Sequence, residues 1–304
     1  MSEYKSGLVG IIGRPNVGKS TLLNQILGQK LAIVTPRPQT TRQKIMGIAT
    51  YPDCQIMFLD TPGIHEGQKS LNRVMVEAAF STLDESDAIL YLVDTPEVVG
   101  RRRMVSTGNA AILERLRNSP LPIILVFNKV DQVKKAQLLP AIEAFNSLHK
   151  FAAIVPISAL HGDGVDALLE ETKKLLPEGQ KFFPDGELTD RSLRFIASEF
   201  IREKALLKTR QEVPYSVAVT IETMEEREGK RPLLYIMARI HVERKSQKGI
   251  IIGKQGAMIK QIGTEAREEL QKYLKRRVHL ELLVRVEKNW TQSMKGLKRV
   301  EFET

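Results

Sequence analysis

The chain has 304 residues, of which 42% are hydrophobic and 27% charged, a composition typical of folded rather than disordered proteins. This length predicts two domains rather than one compact core, and the single cysteine, Cys54, excludes an intramolecular disulfide framework and a multi-cysteine metal site. The net charge of +10 is unevenly placed, because residues 181–304 carry 26 Lys and Arg against 18 Asp and Glu, which favours a polyanion partner for that part.

Short apolar runs alternate with longer amphipathic runs through the first 177 residues. The pattern predicts strands near 8–12, 55–60, 88–93, 122–127 and 153–156, and helices that begin near residues 19, 70, 107, 137 and 165. Such alternation is typical of an α/β domain, an open, mainly parallel sheet with helices on both faces. Ligands bind these sheets at the carboxyl ends of the strands, so the loops there are where chemistry is expected.

The first predicted strand runs into a phosphate-binding loop. Residues 13–20 read GRPNVGKS and match G-x-x-x-x-G-K-[ST] in the strand, loop, helix order that the motif requires. Backbone N–H groups of such a loop converge on phosphates, Lys19 adds charge for the β- and γ-phosphates, and Ser20 is the expected Mg²⁺ ligand. The predicted nucleotide contacts here are Gly13, Arg14, Pro15, Asn16, Val17, Gly18, Lys19, Ser20 and Thr21.

A second motif, Asp60-Thr61-Pro62-Gly63, stands at the end of another predicted strand. It would place the Asp60 carboxylate near the metal and the N–H group of Gly63 where a γ-phosphate would lie. We therefore predict that all four residues contact GTP, and that Asp60 and Gly63 act with Lys19 in catalysis.

The third motif selects the base. Asn128-Lys129-Val-Asp131 follows the strand at 122–127, and the Asp131 carboxylate would accept hydrogen bonds from the two donors, N1–H and the N2 amine, that guanine has and adenine lacks. Ser158-Ala159, after the strand at 153–156, would add a backbone N–H for the guanine carbonyl oxygen. The expected ligands are GTP and GDP.

In this order and spacing the motifs resemble the translation-factor-related class of P-loop GTPases over residues 7–177. The resemblance implies that residues 35–42 form the first switch, with Thr40 or Thr41 binding Mg²⁺ and the γ-phosphate; we favour Thr41 as the catalytic one. Ras-like relatives carry a water-orienting glutamine just after the second motif, where this chain has Ile64. Asn16 is similar to the asparagine that helps to hold K⁺ in K⁺-dependent GTPases, which implies a K⁺ site.

Turn-forming residues then interrupt both periodicities, and we predict a GTPase domain at 1–177 and a linker at 178–188. Beyond the linker the pattern predicts an α+β domain at 189–290 and a tail at 291–304 without readable function. Its predicted elements are a helix at 189–207, strands at 214–223 and 232–243, a helical pair within 247–274 and a strand at 278–287.

Within this domain, Gly253-Lys-Gln-Gly256 matches the GXXG loop of KH domains, which clamps about four backbone nucleotides of RNA. The α-β-β-α-α-β order is that of the type II KH fold, and neighbouring lysines suit phosphate contacts. Residues 250–252 would form an apolar wall of the base groove. The predicted RNA-binding residues are Lys248, Gly249, Ile250, Ile251, Ile252, Gly253, Lys254, Gln255, Gly256 and Lys260.

A P-loop GTPase domain followed directly by a type II KH domain resembles the Era-like GTPases. The resemblance implies a monomeric GTP-hydrolysing switch that binds the 3′ end of 16S ribosomal RNA when GTP is bound and assists assembly of the 30S subunit. Two alternatives remain open at this point: a constitutive RNA-binding protein with a structural nucleotide, and a GTPase of an anionic inner-membrane surface. The sequence lacks a signal-peptide pattern and any apolar run near the ~20 residues that span a bilayer, so we expect a cytoplasmic protein with at most peripheral membrane contact.

Overall fold

The computed structural model describes every residue except 1–2, 38–39, 64–80, 82–83, 100–103, 210–212, 230 and 301–304. The helix expected near residue 70 and the position of Ile64 therefore lie outside the described residues. The described residues divide into two compact units between Asp190 and Arg191, except that residues 33–37 and 40 belong to the second unit.

The first unit is built on a sheet whose described strands follow the order Ile45–Thr50, Cys54–Asp60, Lys5–Gly13, Ala88–Asp94, Ile123–Asn128 and Ala153–Ile157. The parallel strands are β1 (Lys5–Gly13), β3 (Cys54–Asp60), β4 (Ala88–Asp94), β5 (Ile123–Asn128) and β6 (Ala153–Ile157). The edge strand β2 (Ile45–Thr50) is antiparallel to β3 and was not predicted from the sequence. The predicted α/β fold with a mainly parallel sheet is confirmed.

Helices pack against this sheet. They are α1 (Lys19–Leu27), the short α2 (Thr95–Val99), α3 (Thr107–Leu116), α4 (Leu138–Asn146) and α5 (Val165–Leu175). Phe145 of α4 lies edge-on to Phe127 of β5, with ring centroids 5.6 Å apart, and both rings are fully buried. Because Ile12 of β1 and Phe127 of β5 belong to one buried core, the loops that follow these two strands have fixed starting points.

The segment predicted as a linker is hydrogen-bonded into the first unit. The buried side chain of Gln55 on β3 donates to the carbonyl of Phe183 and accepts from the N–H groups of Phe182 and Phe183. The N–H of Ile48 donates to the carbonyl of Leu188 at 2.9 Å. These bonds extend the first unit to Asp190, so the division between the units comes after the segment predicted to connect them.

The second unit has the expected α-β-β-α-α-β order of a KH domain and one further helix. Its elements are α6 (Leu193–Lys208), β7 (Ala218–Arg227), β8 (Leu233–Val242), α7 (Lys245–Ile252), α8 (Ala257–Leu274), β9 (Val278–Val286) and α9 (Met294–Arg299). The central strand β8 is antiparallel to β7 and parallel to β9. The tail is ordered over α9, and the fully buried Trp290 before it donates from Nε1 to the carbonyl of Ser216 at 3.0 Å. No helix in the described part of the chain has the length and apolar character needed to cross a membrane.

Candidate nucleotide site and nucleic-acid interface

The loop between β1 and α1 has the backbone of a phosphate cradle. Gly13 and Gly18 have φ angles of 154° and 101°, and Asn16 also has a positive φ of 64°. A Cβ atom on Gly13 would lie 2.5 Å from the carbonyl oxygen of Leu92, and one on Gly18 would lie 2.2 Å from Nδ2 of Asn128. Larger residues are therefore excluded at both glycines. Because α1 begins without a side-chain cap, its first N–H groups remain available to an anion.

Lys19 occupies the centre of this loop. Its Nζ donates to the carbonyls of Gly13 at 3.2 Å and Arg14 at 3.1 Å, and the side chain is buried. Burial lowers the pKa of Lys19 to about 8, while the nearby Asp60 carboxylate opposes that shift. The lysine is therefore mostly charged at neutral pH, and phosphate oxygens would complete its solvation.

Three side-chain oxygens converge beside Lys19. Oγ of Ser20 lies 2.6 Å from Oδ2 of Asp60 and 2.8 Å from Oγ1 of Thr41, and Thr41 lies 3.3 Å from the same carboxylate oxygen. Burial raises the pKa of Asp60, whereas Lys19 and the two hydroxyls act to lower it. Among the described residues, Oδ1 of Asp60 is buried without a hydrogen-bond partner. This set of hard oxygen donors fits Mg²⁺.

The structure separates the two switch threonines. Oγ1 of Thr40 lies 2.6 Å from Oγ1 of Thr35 and 2.7 Å from the carbonyl of Arg37, and so does not join the three oxygens. The side chain that reaches Ser20 and Asp60 is that of Thr41.

The second motif, Asp60–Gly63, packs against β1 and the phosphate-binding loop. The hydroxyl of the buried Thr61 donates to the carbonyl of Ile11 at 2.8 Å and fixes the motif to β1. A Cβ atom on Gly63 would lie 2.7 Å from Cα of Pro15, so only glycine lets this backbone approach the loop so closely. An N–H group at Gly63 is thereby held against the phosphate loop.

Asn128 connects the phosphate-binding loop to the Ser158-Ala159 segment of the predicted base site. Its Nδ2 donates to the carbonyl of Val17 at 2.7 Å, and its Oδ1 accepts from the N–H of Ala159 at 2.9 Å. Ser158 is fully buried, whereas Asp131 is exposed and can meet the edge of a base. The predicted base residues therefore lie at one end of the sheet, tied to the phosphate loop.

Two residues that the sequence reasoning missed, Asp94 and Thr95, support this motif. Nζ of Lys129 lies 2.5 Å from Oδ2 of Asp94 and 2.8 Å from the carbonyl of Asn16, and Lys129 has a φ of 67°. The buried hydroxyl of Thr95 donates to the carbonyl of Asn128 at 2.6 Å. The signal available for Asp94 was a carboxylate at the end of an apolar strand, Ala88–Asp94, which pairs with the strand that leads into the base motif.

Arg14 contributes to the loop through its backbone. Its guanidinium forms an ion pair with Glu97 of α2 and approaches Oγ of Ser106, the cap of α3. The side chain therefore braces the loop against α2 and α3, while its carbonyl accepts from Lys19.

The GXXG segment of the second unit is a tight, exposed turn between α7 and α8. Gly253, Gln255 and Gly256 have φ angles of 72°, 51° and 77°, and a Cβ atom on Gly253 would lie 2.6 Å from that of Met258. Lys254 and Gln255 are exposed. Because α8 begins without a side-chain cap, its N–H groups and Lys254 can face a phosphate together.

The predicted apolar wall at 250–252 needs one correction. Ile251 is fully buried in the core of the second unit, whereas Ile250 is 44% exposed. These residues lie on helix α7, where consecutive side chains point in different directions, so they cannot form one continuous face. Ile251 therefore cannot belong to a surface that contacts RNA.

An open cleft of about 360 Å³ lies between α8 and β9. Of its lining residues only Lys260 was predicted; the full set is Ile259, Lys260, Gly263, Thr264, Arg267, Leu280 and Leu282. A Cβ atom on Gly263 would lie 3.3 Å from Cδ1 of Leu282, so the glycine keeps this cleft open. The two leucines alternate along β9, and the other missed residues recur at helical spacing along α8. Only the packing of α8 beside β9 brings the two sets together.

Comparisons with known proteins place both units in described families. Residues 8–129 match the family described as 50S ribosome-binding GTPase, and residues 212–291 match the KH domain family. The chain is 50% identical over 295 residues to the GTPase Era of Syntrophus aciditrophicus, covering 97% of this chain and 94% of that protein. It is 48% identical to the GTPase Era of Lacticaseibacillus paracasei, covering 100% of this chain and 99% of that protein.

Two solved structures extend the likeness to the fold. One is Era in complex with MgGDPNP and nucleotides 1506–1542 of 16S ribosomal RNA, with a TM-score of 0.94, 40% identity, and coverage of 99% of this chain and 100% of that one. The other is a variant of Aquifex aeolicus Era bound to GDP and aluminium fluoride, with a TM-score of 0.91, 41% identity and the same coverage.

Proposed function

Because this chain belongs to the Era family of GTPases, we propose that it is a GTP-driven switch that grips the 3′ end of 16S ribosomal RNA and assists assembly of the 30S subunit in the cytoplasm. The observation that carries the proposal is the presence, in one chain, of the Ser20, Thr41 and Asp60 cluster and of the cleft beside the GXXG turn. The first would distinguish GTP from GDP through Mg²⁺ and the γ-phosphate, and the second would receive single-stranded RNA.

The reaction is the hydrolysis of GTP by in-line attack of water on the γ-phosphorus, which breaks its bond to the bridging oxygen and releases GDP and phosphate. Lys19 stabilises charge on the transferred group, and the N–H of Gly63 is placed to donate to it. Ser20, Thr41 and Asp60 would hold Mg²⁺, which supplies positive charge next to the β- and γ-phosphates. Positioning and charge therefore account for most of the chemistry.

A K⁺ ion is the second cation that we propose, held in part by Asn16. This residue is exposed on the phosphate loop, and its left-handed backbone turns its carbonyl towards Lys129. A cation beside the phosphates would do the work that an arginine finger does in other P-loop GTPases.

The RNA site that we propose combines the GXXG turn with the cleft between α8 and β9. Gly253–Gly256 and Lys254 would hold the phosphate backbone, while the apolar floor of the cleft would contact bases. Lys260 and Arg267 on the same helix face add positive charge. The predicted RNA-binding residues other than the buried Ile251 thus act with cleft residues that the sequence pattern did not reveal.

The two alternatives predict different nucleotide dependence. A constitutive RNA-binding protein would not need the hydroxyl of Thr41 at the cluster, because that group would meet only the γ-phosphate state of the nucleotide. A membrane-surface GTPase rests on basic charge alone and would bind anionic vesicles without RNA.

The test is the affinity of the full-length protein for a short single strand that copies the 3′ end of 16S ribosomal RNA, measured with a non-hydrolysable GTP analogue and with GDP. We expect tighter binding with the analogue and loss of binding when Lys254→Asp and Gln255→Asp are combined. Equal affinity in both nucleotide states would support the constitutive alternative, and no binding above that of a scrambled strand would refute the RNA proposal.

A further inference from the structure

The first part of the proposed switch, described at residues 33–37 and 40, belongs to the second compact unit rather than to the nucleotide-binding unit. Three hydrogen bonds attach it to α6 and to the residue that follows that helix. They run from the N–H of Val34 to Oε1 of Glu203 (2.9 Å), from Nη2 of Arg37 to the carbonyl of Thr209 (2.9 Å) and from Nη2 of Arg202 to the carbonyl of Thr40 (2.6 Å).

Arg202 is the strongest of these attachments. Its side chain is only 4% exposed, and its Nε and Nη2 atoms lie 2.6 Å and 2.5 Å from the two carboxylate oxygens of Glu199. This bidentate pair fixes the plane of the guanidinium before it meets the Thr40 carbonyl. A buried, charge-assisted donor in a fixed orientation restrains the carbonyl more firmly than an exposed hydrogen bond would.

The restrained carbonyl belongs to the peptide group that leads into Thr41. The peptide unit is planar, so fixing its oxygen also restricts the orientation of the N–H of Thr41 and, through it, the direction of its side chain. Oγ1 of Thr41 lies 2.8 Å from Oγ of Ser20 in the first unit. Two consecutive residues are therefore held by different units.

We propose that Arg202 is a positioning residue for the GTP state: by holding the Thr40 carbonyl, it keeps the Thr41 hydroxyl where Mg²⁺ and the γ-phosphate require it. This inference rests on the proposed GTP switch. It assigns part of the control of that switch to Arg202, a residue of the second unit. GDP has no γ-phosphate for the switch threonine to meet, so Arg202 matters for GTP and much less for GDP.

The same helix also contacts the helix of the RNA interface. Lys204 and Lys208 of α6 form ion pairs with Glu269 and Glu265 of α8, and the ring of Phe200 lies edge-on to that of Tyr273 at 5.4 Å. Helix α8 begins at the GXXG turn. A shift of α8 on RNA binding would therefore be transmitted to Arg202 through helix α6, which carries all three of these basic residues. Because binding equilibria are linked, the factor by which GTP changes RNA affinity must equal the factor by which RNA changes GTP affinity.

The test compares full-length wild type, Arg202→Met and a matched control, Arg194→Met. Arg194 lies on the same helix, and its exposed guanidinium also donates to a backbone carbonyl of the second unit, that of Ile221, at 2.8 Å. The affinities for a fluorescent GTP analogue and for fluorescent GDP are measured in Mg²⁺, and RNA affinity is measured with each nucleotide.

We expect the ratio of GTP-analogue to GDP affinity to fall about tenfold in Arg202→Met, which corresponds to the loss of one charge-assisted hydrogen bond, with GDP affinity kept within about twofold. The nucleotide dependence of RNA binding should shrink by the same factor. Arg194→Met should keep both ratios, and Arg202→Lys, which can still donate to the Thr40 carbonyl, should recover part of the loss and carries the test if Arg202→Met fails to fold.

The outcomes separate the inference from the proposed function. Wild-type protein that does not prefer RNA in the GTP-analogue state would refute the proposed switch itself. Wild-type protein with that preference, together with an Arg202→Met variant that keeps its nucleotide ratio or loses both nucleotides equally, would overturn the role of Arg202 alone.

Discussion

Thr40 and Thr41 are adjacent, yet their hydroxyl groups belong to different hydrogen-bond networks: Thr41 lies 2.8 Å from Ser20, whereas Thr40 lies 2.6 Å from Thr35. We expect Thr41→Ala to lower GTP hydrolysis on the order of 100-fold, the scale on which removing one transition-state contact acts. Single-turnover hydrolysis in Mg²⁺ measures the effect.

Thr40→Ala is the control for this prediction, because it removes the second hydroxyl and keeps the backbone carbonyl. Its effect on hydrolysis should be no more than about threefold, which is small beside the loss of a positioned catalytic contact. If Thr40→Ala proved the more damaging of the two, the assignment of Thr41 would be wrong.

Asp131 should determine which base is accepted. In Asp131→Asn the side chain gains an N–H donor, which suits the carbonyl that xanthine has at the 2-position and conflicts with the amine of guanine. We expect GTP affinity to fall at least about 100-fold and XTP to bind better than GTP, since a mismatched polar group at a specific site costs this much. Displacement of a bound fluorescent nucleotide by GTP and by XTP measures the two affinities. If the variant still bound GTP better than XTP, the assignment of Asp131 would be contradicted.

Asn16 should make hydrolysis depend on the monovalent cation. We expect turnover at least about tenfold faster in K⁺ than in Na⁺ at equal ionic strength, and Asn16→Ala should remove the difference by removing one oxygen ligand. Affinity for GDP in Na⁺ is the control for an intact loop. Equal turnover of the wild type in both salts would eliminate the K⁺ proposal.

Leu282 and Leu283 offer a matched pair for testing the proposed RNA cleft, because successive side chains of a strand point to opposite faces. Leu282 lines the cleft, while Leu283 is 48% exposed and is not among the residues that line it. Leu282→Ser should weaken RNA binding roughly tenfold, the scale of one base contact, without changing GTP affinity. Fluorescence anisotropy with labelled RNA measures this, and an equal loss in Leu283→Ser would place the RNA elsewhere.

His241 should make the second unit sensitive to acid. The imidazole is buried, with Nε2 2.9 Å from the hydroxyl of Thr220, and burial lowers the pKa of His241 to about 4, although Glu287 opposes the shift and Arg239 adds to it. The unfolded imidazole binds a proton below pH ~6.5 and the folded one only below about 4, so the unfolded state takes up more protons between these values. The free energy of unfolding therefore decreases as the pH falls from ~6.5 to about 4, and His241 accounts for about 3 kcal/mol of this decrease.

Urea unfolding of the wild type and of His241→Gln across this pH range checks the prediction. The variant should keep the hydrogen bond to Thr220 and show a shallower loss of stability on acidification. Identical pH dependence in the two proteins would mean that carboxylates alone set the slope.

The two units were predictable from the sequence because their motifs depend on local chain geometry. The loop at 13–20 and the turn at 253–256 need glycines for backbone angles that other residues resist, and such requirements appear directly as residue types at fixed spacing. The alternation of apolar runs likewise followed from burial of strands on both faces. The edge strand Ile45–Thr50 was not predicted, because it follows a basic, proline-containing stretch and its run of apolar residues is short.

The sequence by itself therefore determined the two domains of this protein, a GTPase domain and a KH domain with its GXXG turn, and the order in which they occur. The tertiary structure decided which threonine meets Ser20, which strand residues line the cleft beside α8, and that Arg202 donates to the carbonyl of a residue 162 positions earlier in the chain. Spacing along the chain carries no information about contacts between such distant segments, because these arise only when helices and strands pack together.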